Sequence, residues 1–426
     1  MKLLPTRTEL KEGQQTTSAH YRHGVINSMT VNGFILAAAF FALVTLVAKS
    51  PNRFVYDEPY FSNYISLFHQ HGFTPKFLNS LNAAPGPLSA IVQAIFEPLT
   101  HLRPVAMRFV SVFLLLVSAL VLGALLKKDG RGNWVAAASV LAVPMTWVVG
   151  GMALSEVSAM MLVTLSLYFQ TKGLEALDTN SAPHGWFLTA GVFLGFAIWG
   201  RQPYLLLISV PLLLACVEPR LRGPASVFAG VAACMAVPLF SIWGGFVPPS
   251  QHLSPGFSIL HALLSFGYTG FCFILLGARS NWLSWKAAFA LVGLTILTNG
   301  TFRAFAIFPV KSLVDRHVNP AFLPFYGNAC GSLFLSCGVL SLAILIRIIW
   351  ESRIDRRRLM INTGLLCVVA APLLDTHQYS SRYTAMALPY IVLAANPWQK
   401  WSRLTTLTTL AGCVLGYLSL SGYFNE

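Results

Sequence analysis

The chain has 426 residues, 55% of them hydrophobic and only 10% charged, with a formal net charge of +14. A soluble protein carries about a quarter charged residues, so this composition excludes an ordinary globular enzyme. The positive charge does not point to nucleic acid, because the lysines and arginines fall in short clusters between apolar runs, as topogenic loops do.

Residues 1–28 form a polar tail, read as cytoplasmic. The first apolar run, 29–48, is long enough to cross a hydrocarbon core of about 30 Å. The "LVAKS" that ends it is a poor cleavage site, so the run reads as a span and not as a leader. A polar and aromatic stretch, about 49–105, follows as the first outer loop and contains "VYDEPYFSNY" at 55–64. Pro59 suits the first turn of a helix with Asp57 near its N-cap, and that helix carries Tyr60, Tyr64 and Phe68 along one face. "NAAPGPLSAIVQAIFEPL" predicts a turn into a short helix around 87–99, too brief to cross and suited to the interface. Further spans are predicted at 106–126, 133–150, 152–170, 186–200, 203–217, 224–247, 257–276, 287–304, 327–346, 359–374, 383–395 and 404–421. The fold class is therefore an all-α polytopic membrane protein of about thirteen transmembrane helices, with 29–426 as one membrane domain. The cysteines are odd in number and lie in or beside apolar segments, where they read as small core hydrophobes.

The positive-inside rule orients the chain. With the N-terminus inside, the inner loops hold Lys127, Lys128 and Arg131, then Lys172, Arg220 and Arg222, Arg279 and Lys286, Arg347, Arg353 and Arg356 to Arg358, and Lys400 and Arg403. The same threading collects the unusual polar residues on the other side. Asp57 and Glu58, Ser155-Glu156, "GRQP" at 200–203, "PSQHLSP" at 249–255 and "DTHQYSSRY" at 375–383 all face outward. Chemistry, if present, belongs to that face.

Two adjacent carboxylates walled by Tyr56, Tyr60, Phe61 and Tyr64 are either a solvated turn or a proton acceptor held near the membrane surface. Neighbouring helical residues project about 100° apart, so one carboxylate should face the reacting group and the other cap or orient. Arg201 at the outer end of a span either snorkels to headgroups or binds a phosphate. Arg382 repeats that logic on a side where topogenesis wants no arginine, and His377, Gln378 and Tyr379 beside it can supply hydrogen bonds. Gln251 and His252 belong to a plain proline-rich loop or hydrogen-bond a substrate. His69 and His71, two apart on a helix, point to opposite sides and do not form a shared metal site. Asp57 and Glu58 could hold a divalent cation together with a substrate phosphate; no other metal signature and no phosphate-binding glycine loop is present. A lipid or solute transporter is the alternative, but it would show repeated halves and ionisable groups at mid-span; here the ionisable groups gather at the outer ends.

The Asp-Glu pair after the first span, the Pro/Gly turn, the interfacial helix and "RPVAMRFVSV" opening the next span together resemble the membrane glycosyltransferases of the C-type fold. Within them the chain is most similar to the dolichyl-phosphate-glucose α-1,2-glucosyltransferase family, which adds the last glucose to the lipid-linked oligosaccharide. "VYDEPYFSNYISLFHQHGF" resembles its Tyr-x-Asp-Glu-x-x-Phe-His segment and "AAPGPLSA" its Thr-Pro-Pro-Gly-Leu turn. "FAIWGRQPYLLLIS" is similar to its Arg-Gln-Thr-Asn stretch, with Pro203-Tyr204 replacing Thr-Asn. His252 and His261 match a loop whose acidic-basic pair is missing here, and "SSRYTAMALPY" is similar to its Arg-Tyr-Tyr-x-x-Pro-Tyr end, keeping Arg382, Tyr383, Pro389 and Tyr390. The resemblance implies a polyprenyl-phosphate-linked sugar donor, a lipid-linked glycan or similar acceptor, and a bacterial plasma membrane or endoplasmic reticulum location. It implies Asp57 as general base with Glu58 beside it, and Arg201, Gln202, His252, Arg382 and Tyr383 as substrate-binding residues; to these the residues themselves add Tyr379 as a hydrogen-bonding neighbour of Arg382 and Tyr60 as a ring that can stack on a sugar face.

Overall fold

The computed structural model describes residues 29–126, 134–251, 256–278, 284–303, 305–308, 319–375, 379–395 and 402–425. The tail 1–28, Lys127, Lys128, Arg131, His252, Arg279, His377, Gln378 and Lys400 lie outside the described residues. The regular elements among those described are helices, built in the order α1 (Met29–Ala48), α2 (Glu58–His71), α3 (Pro75–Asn79), α4 (Leu88–Thr100) and α5 (Pro104–Leu125). They continue as α6 (Trp134–Ala138), α7 (Pro144–Gly151), α8 (Glu156–Asp178), α9 (His184–Gly200), α10 (Ser209–Val217), α11 (Arg222–Trp243), α12 (Ile259–Leu275) and α13 (Trp285–Phe302). The last are α14 (Leu323–Glu351), α15 (Arg356–Ala370), α16 (Arg382–Ala385), α17 (Leu388–Ala395) and α18 (Arg403–Asn425).

Among the described residues, six helices are long and apolar enough to cross a membrane, and the chain is an integral, multi-pass membrane protein. The other predicted spans are helical too, but several are short: α9 has 17 residues and α12 has 17. The segment predicted as a single span at 133–150 is bent by 86° between Ala142 and Pro144. Proline lacks the amide hydrogen that continues a helix, and it forces the residue before it out of helical geometry. Val143 accordingly adopts φ −93°, ψ 112°, and Pro144 opens α7.

Proline also sets the start of α5, where Arg103 is extended and Pro104 takes the first helical position. Close crossings of helices need small residues, since van der Waals packing is the main attraction between helices in lipid. Gly412 on α18 is such a point: a Cβ there would collide with the Ala142 carbonyl, so α18 lies directly against the bend before α7. This places the end of α18 beside the loop between α1 and α5, where Tyr423 meets Tyr56, and beside the start of α5, where Phe424 meets Arg108. The loop between α1 and α5 carries α2, α3 and α4, and α4, at 13 residues, leaves Ile95 and Leu99 exposed.

Candidate active site

The site begins at Tyr56, one of the few non-glycine residues with positive φ (56°). Asp57 occupies the N-cap position of α2, with Pro59 in the first turn, but its side chain makes no capping bond. Glu58 turns inward and is fully buried.

Glu58 is completely engaged. One oxygen accepts from Arg108 Nε at 2.9 Å and from the Ala153 amide at 2.8 Å. The other accepts from Arg108 Nη2 at 2.6 Å and from the Val55 amide at 2.9 Å. Arg108 also donates to Ser50 Oγ, the Pro51 carbonyl and the Arg53 carbonyl, so all its N–H groups have acceptors. The pair fastens the chain after α1 to α5 and to the segment before α8. A buried charge in an apolar helix must be paired in this manner, and removing one partner costs far more than the pair contributes. With both Glu58 oxygens committed, the two adjacent carboxylates do not fit a shared chelate for a divalent cation. Among the described residues no cluster of three or more His, Cys, Asp or Glu side chains could hold a metal.

Asp57 faces the other way. Its Oδ2 accepts from Arg382 Nη2 at 2.5 Å, a pairing of residues 325 positions apart. Arg382 Nε donates to Ser380 Oγ at 3.3 Å, and its guanidinium lies 5.1 Å from the Tyr56 ring centre. Arg382 Nη1 lies 3.4 Å from Glu156 Oε1, and the same oxygen is in close ion-pair contact with Arg201 Nη2. Asp57, Arg382, Glu156 and Arg201 thus form an alternating row of charges drawn from four distant segments. Glu156 is almost wholly buried, whereas the Asp57 side chain keeps 30% of its surface exposed. Arg201 Nε is buried and makes no hydrogen bond among the described residues, and Arg382 Nη1 has only its 3.4 Å ion-pair contact with Glu156. Buried donors of this kind normally have an acceptor.

A second group of side chains shapes the turn that faces this row. Tyr64 is buried, and its hydroxyl donates to the Ala83 carbonyl and accepts from the Ala83 amide, at 3.0 and 2.7 Å. Gln202 donates to the Ala84 carbonyl at 2.6 Å, Gln251 to the Asn82 carbonyl at 2.7 Å and Ser250 to the Leu81 carbonyl at 2.5 Å. Backbone carbonyls of an irregular turn need partners once water is excluded, and these three side chains provide them. Burial holds the Tyr64 hydroxyl above its ordinary range, so it remains a donor. Gly86 ends the turn against α9, where a Cβ would strike the Trp199 carbonyl.

No protein-family model and no curated protein matches the chain. Solved structures of ArnT from Cupriavidus metallidurans align with it at 15% identity. The apo state covers 92% of this chain and 77% of that one with a TM-score of 0.45. The form bound to undecaprenyl phosphate covers 90% and 76% with a TM-score of 0.43. Likenesses this loose carry nothing about the chemistry of this chain, which rests on its own residues.

The predicted site residues do not all come together. Asp57, Arg201 and Arg382 come together in the charged row. Gln202 lies next to it, with its amide nitrogen given to the turn. Tyr379 directs its hydroxyl to Thr384 Oγ1 at 2.7 Å and stacks on Tyr268, and Tyr383 packs beside it with ring centres 6.0 Å apart. Tyr60 stands half exposed on the outward side of α2. Arg108 was not singled out by sequence reasoning, and Glu156 was placed on the outward face but given no role. The signal for both was present: an arginine four residues into one apolar helix and a glutamate at the mouth of another each demand a counter-charge.

Proposed function

We propose that this protein is a membrane glycosyltransferase that moves a sugar from a polyprenyl-phosphate carrier to a hydroxyl of a lipid-linked glycan or similar acceptor. Transfer would take place at the outer or lumenal face, with glucose as the sugar that the resembled family suggests. The observation that carries this reading is the contact between Asp57 and Arg382 at the exposed end of the charged row, with Arg201 and Glu156 behind it.

The chemistry assigns each group one task. Asp57 takes the proton from the acceptor hydroxyl as its oxygen attacks the anomeric carbon. The bond from that carbon to the phosphate oxygen breaks, and its electron pair stays on the departing phosphate. Arg382, with Arg201 behind it, holds the charge that develops there, and its planar guanidinium suits two phosphate oxygens at once. Attack opposite the leaving group inverts the anomeric centre, as in direct displacements at sugars. A phosphate shares the Arg382 guanidinium with Asp57 where it stands, which weakens that pairing and leaves an Asp57 oxygen for the acceptor hydroxyl. Glu58 is left out of proton transfer and fixes the loop.

The test is single-turnover transfer by purified protein from a short-chain polyprenyl-phosphate glucose to a lipid-linked glycan. Transfer with inversion supports the reading. Solute or lipid flux in proteoliposomes without any transfer would replace it with the transporter.

A further inference from the structure

We propose that Tyr56 and Tyr423 are positioning residues for Arg382. The last turn of α18 reaches the first outer loop and holds the Tyr56 ring against the guanidinium that pairs with Asp57. The inference rests on the glycosyl-transfer reading for its meaning and on geometry for its content.

Three observations support it. Tyr56 adopts φ 56°, a region that a tyrosine enters only when its surroundings compel it. Its ring centre lies 5.1 Å from the Arg382 guanidinium carbon, within cation–π range. The Tyr56 ring also meets Tyr423, 4.9 Å away with the planes at 60°, an edge contact. Asp57 and Glu156 hold the guanidinium by its nitrogens, and the Tyr56 ring packs against it as a further restraint. A charged group that must meet a phosphate gains most when its orientation is set beforehand, because no reorganisation is then needed on binding. The same turn of α18 supports the other carboxylate, since the Phe424 ring lies 4.8 Å from the Arg108 guanidinium carbon. The end of α18 therefore braces both members of the Asp-Glu pair through their arginines.

A strained tyrosine beside the base is unnecessary for folding the turn. Glycine would adopt this φ without penalty, so the ring is the reason for tyrosine there.

Arginine labelling of the purified protein with phenylglyoxal, read by mass spectrometry, tests the inference without any substrate. In Tyr423→Ala and in Tyr56→Gly, labelling of Arg382 relative to the exposed Arg220 should rise several-fold. Arg108, fully buried, should stay unlabelled in both variants and so report that the fold is intact. Tyr423→Phe keeps the ring and should restore the wild-type rate. Affinity for a short-chain polyprenyl phosphate should fall about three- to tenfold in Tyr423→Ala, the range an aromatic edge contact supplies. Unchanged Arg382 labelling in Tyr423→Ala overturns the inference, and so does a rise in Arg108 labelling that matches that of Arg382. Raised Arg382 labelling in a protein whose wild type binds no polyprenyl phosphate leaves the brace standing and removes the glycosyl-transfer reading.

Discussion

Asp57 and Glu58 are neighbours in the chain and opposites in environment, and their predicted responses to the same change differ accordingly. Asp57→Asn keeps shape and loses basicity, so transfer should fall about a hundred- to ten-thousand-fold with folding unaffected. Single-turnover transfer by a purified variant of normal unfolding temperature measures this, and near-normal turnover would remove Asp57 from the chemistry. Glu58→Gln leaves Arg108 charged, buried and short of its carboxylate, and should lower stability by roughly 3–5 kcal/mol. Denaturation in detergent reads that loss; a variant as stable as the parent would contradict the role of Glu58 as the anchor. Arg382→Lys should retain part of the donor affinity, because lysine keeps the charge and loses the fork. That the two carboxylates meet different surroundings was legible from the angle between adjacent helical residues. The sequence did not disclose which carboxylate faced inward, because that depends on Arg108 arriving from a helix 50 positions away.

At the scale of elements, the turn over residues 81–86 shows how an irregular segment is held rigid. Its carbonyls are bonded by Ser250, Gln202 and Gln251, and its end is pressed on α9. Gly86→Ala should destabilise the protein by about 1–3 kcal/mol or more, because the obstacle is the Trp199 backbone, which cannot rotate aside. Equal thermal stability of the variant and the parent would show that the turn has slack. Sequence reading located this turn from its prolines and glycine, and placed Gln202 near the substrate. The amide is instead used on Ala84, a demand that follows from burial of the turn and is invisible until the loop is packed. The bend at Pro144 was hidden for a related reason: hydropathy sees a continuous apolar run, whereas the missing amide hydrogen decides where the helix breaks.

Across the whole molecule the charges separate into two ends. One holds the row from Asp57 to Arg201. The other gathers residues read as topogenic: Arg356 lies 3.1 Å from Asp178 and 3.6 Å from Glu218, Arg357 donates to the Leu125 carbonyl, and Lys172 pairs with Glu175 at 2.7 Å. That the clusters at 57, 156, 201, 250 and 382 would meet was legible in the sequence, because alternating basic loops fix which helix ends share a face. Their exact pairing was not, since Glu156 reaches both arginines only through the rotation and depth of α8. The convergence yields a topology prediction. Cysteine at Glu351 should be reached from the cytoplasmic side only, and cysteine at Ser380 from the opposite side only, in a background where the exposed Cys216 and Cys234 are serine. Membrane-impermeant thiol labelling of intact cells, compared with permeabilised ones, distinguishes the two. Labelling of both sites from outside would contradict the threading. Reversed labelling would place the Asp57 end in the cytoplasm, where a lumenal or periplasmic lipid-linked donor could not reach Arg382. The orientation is therefore a condition that the proposed chemistry must satisfy.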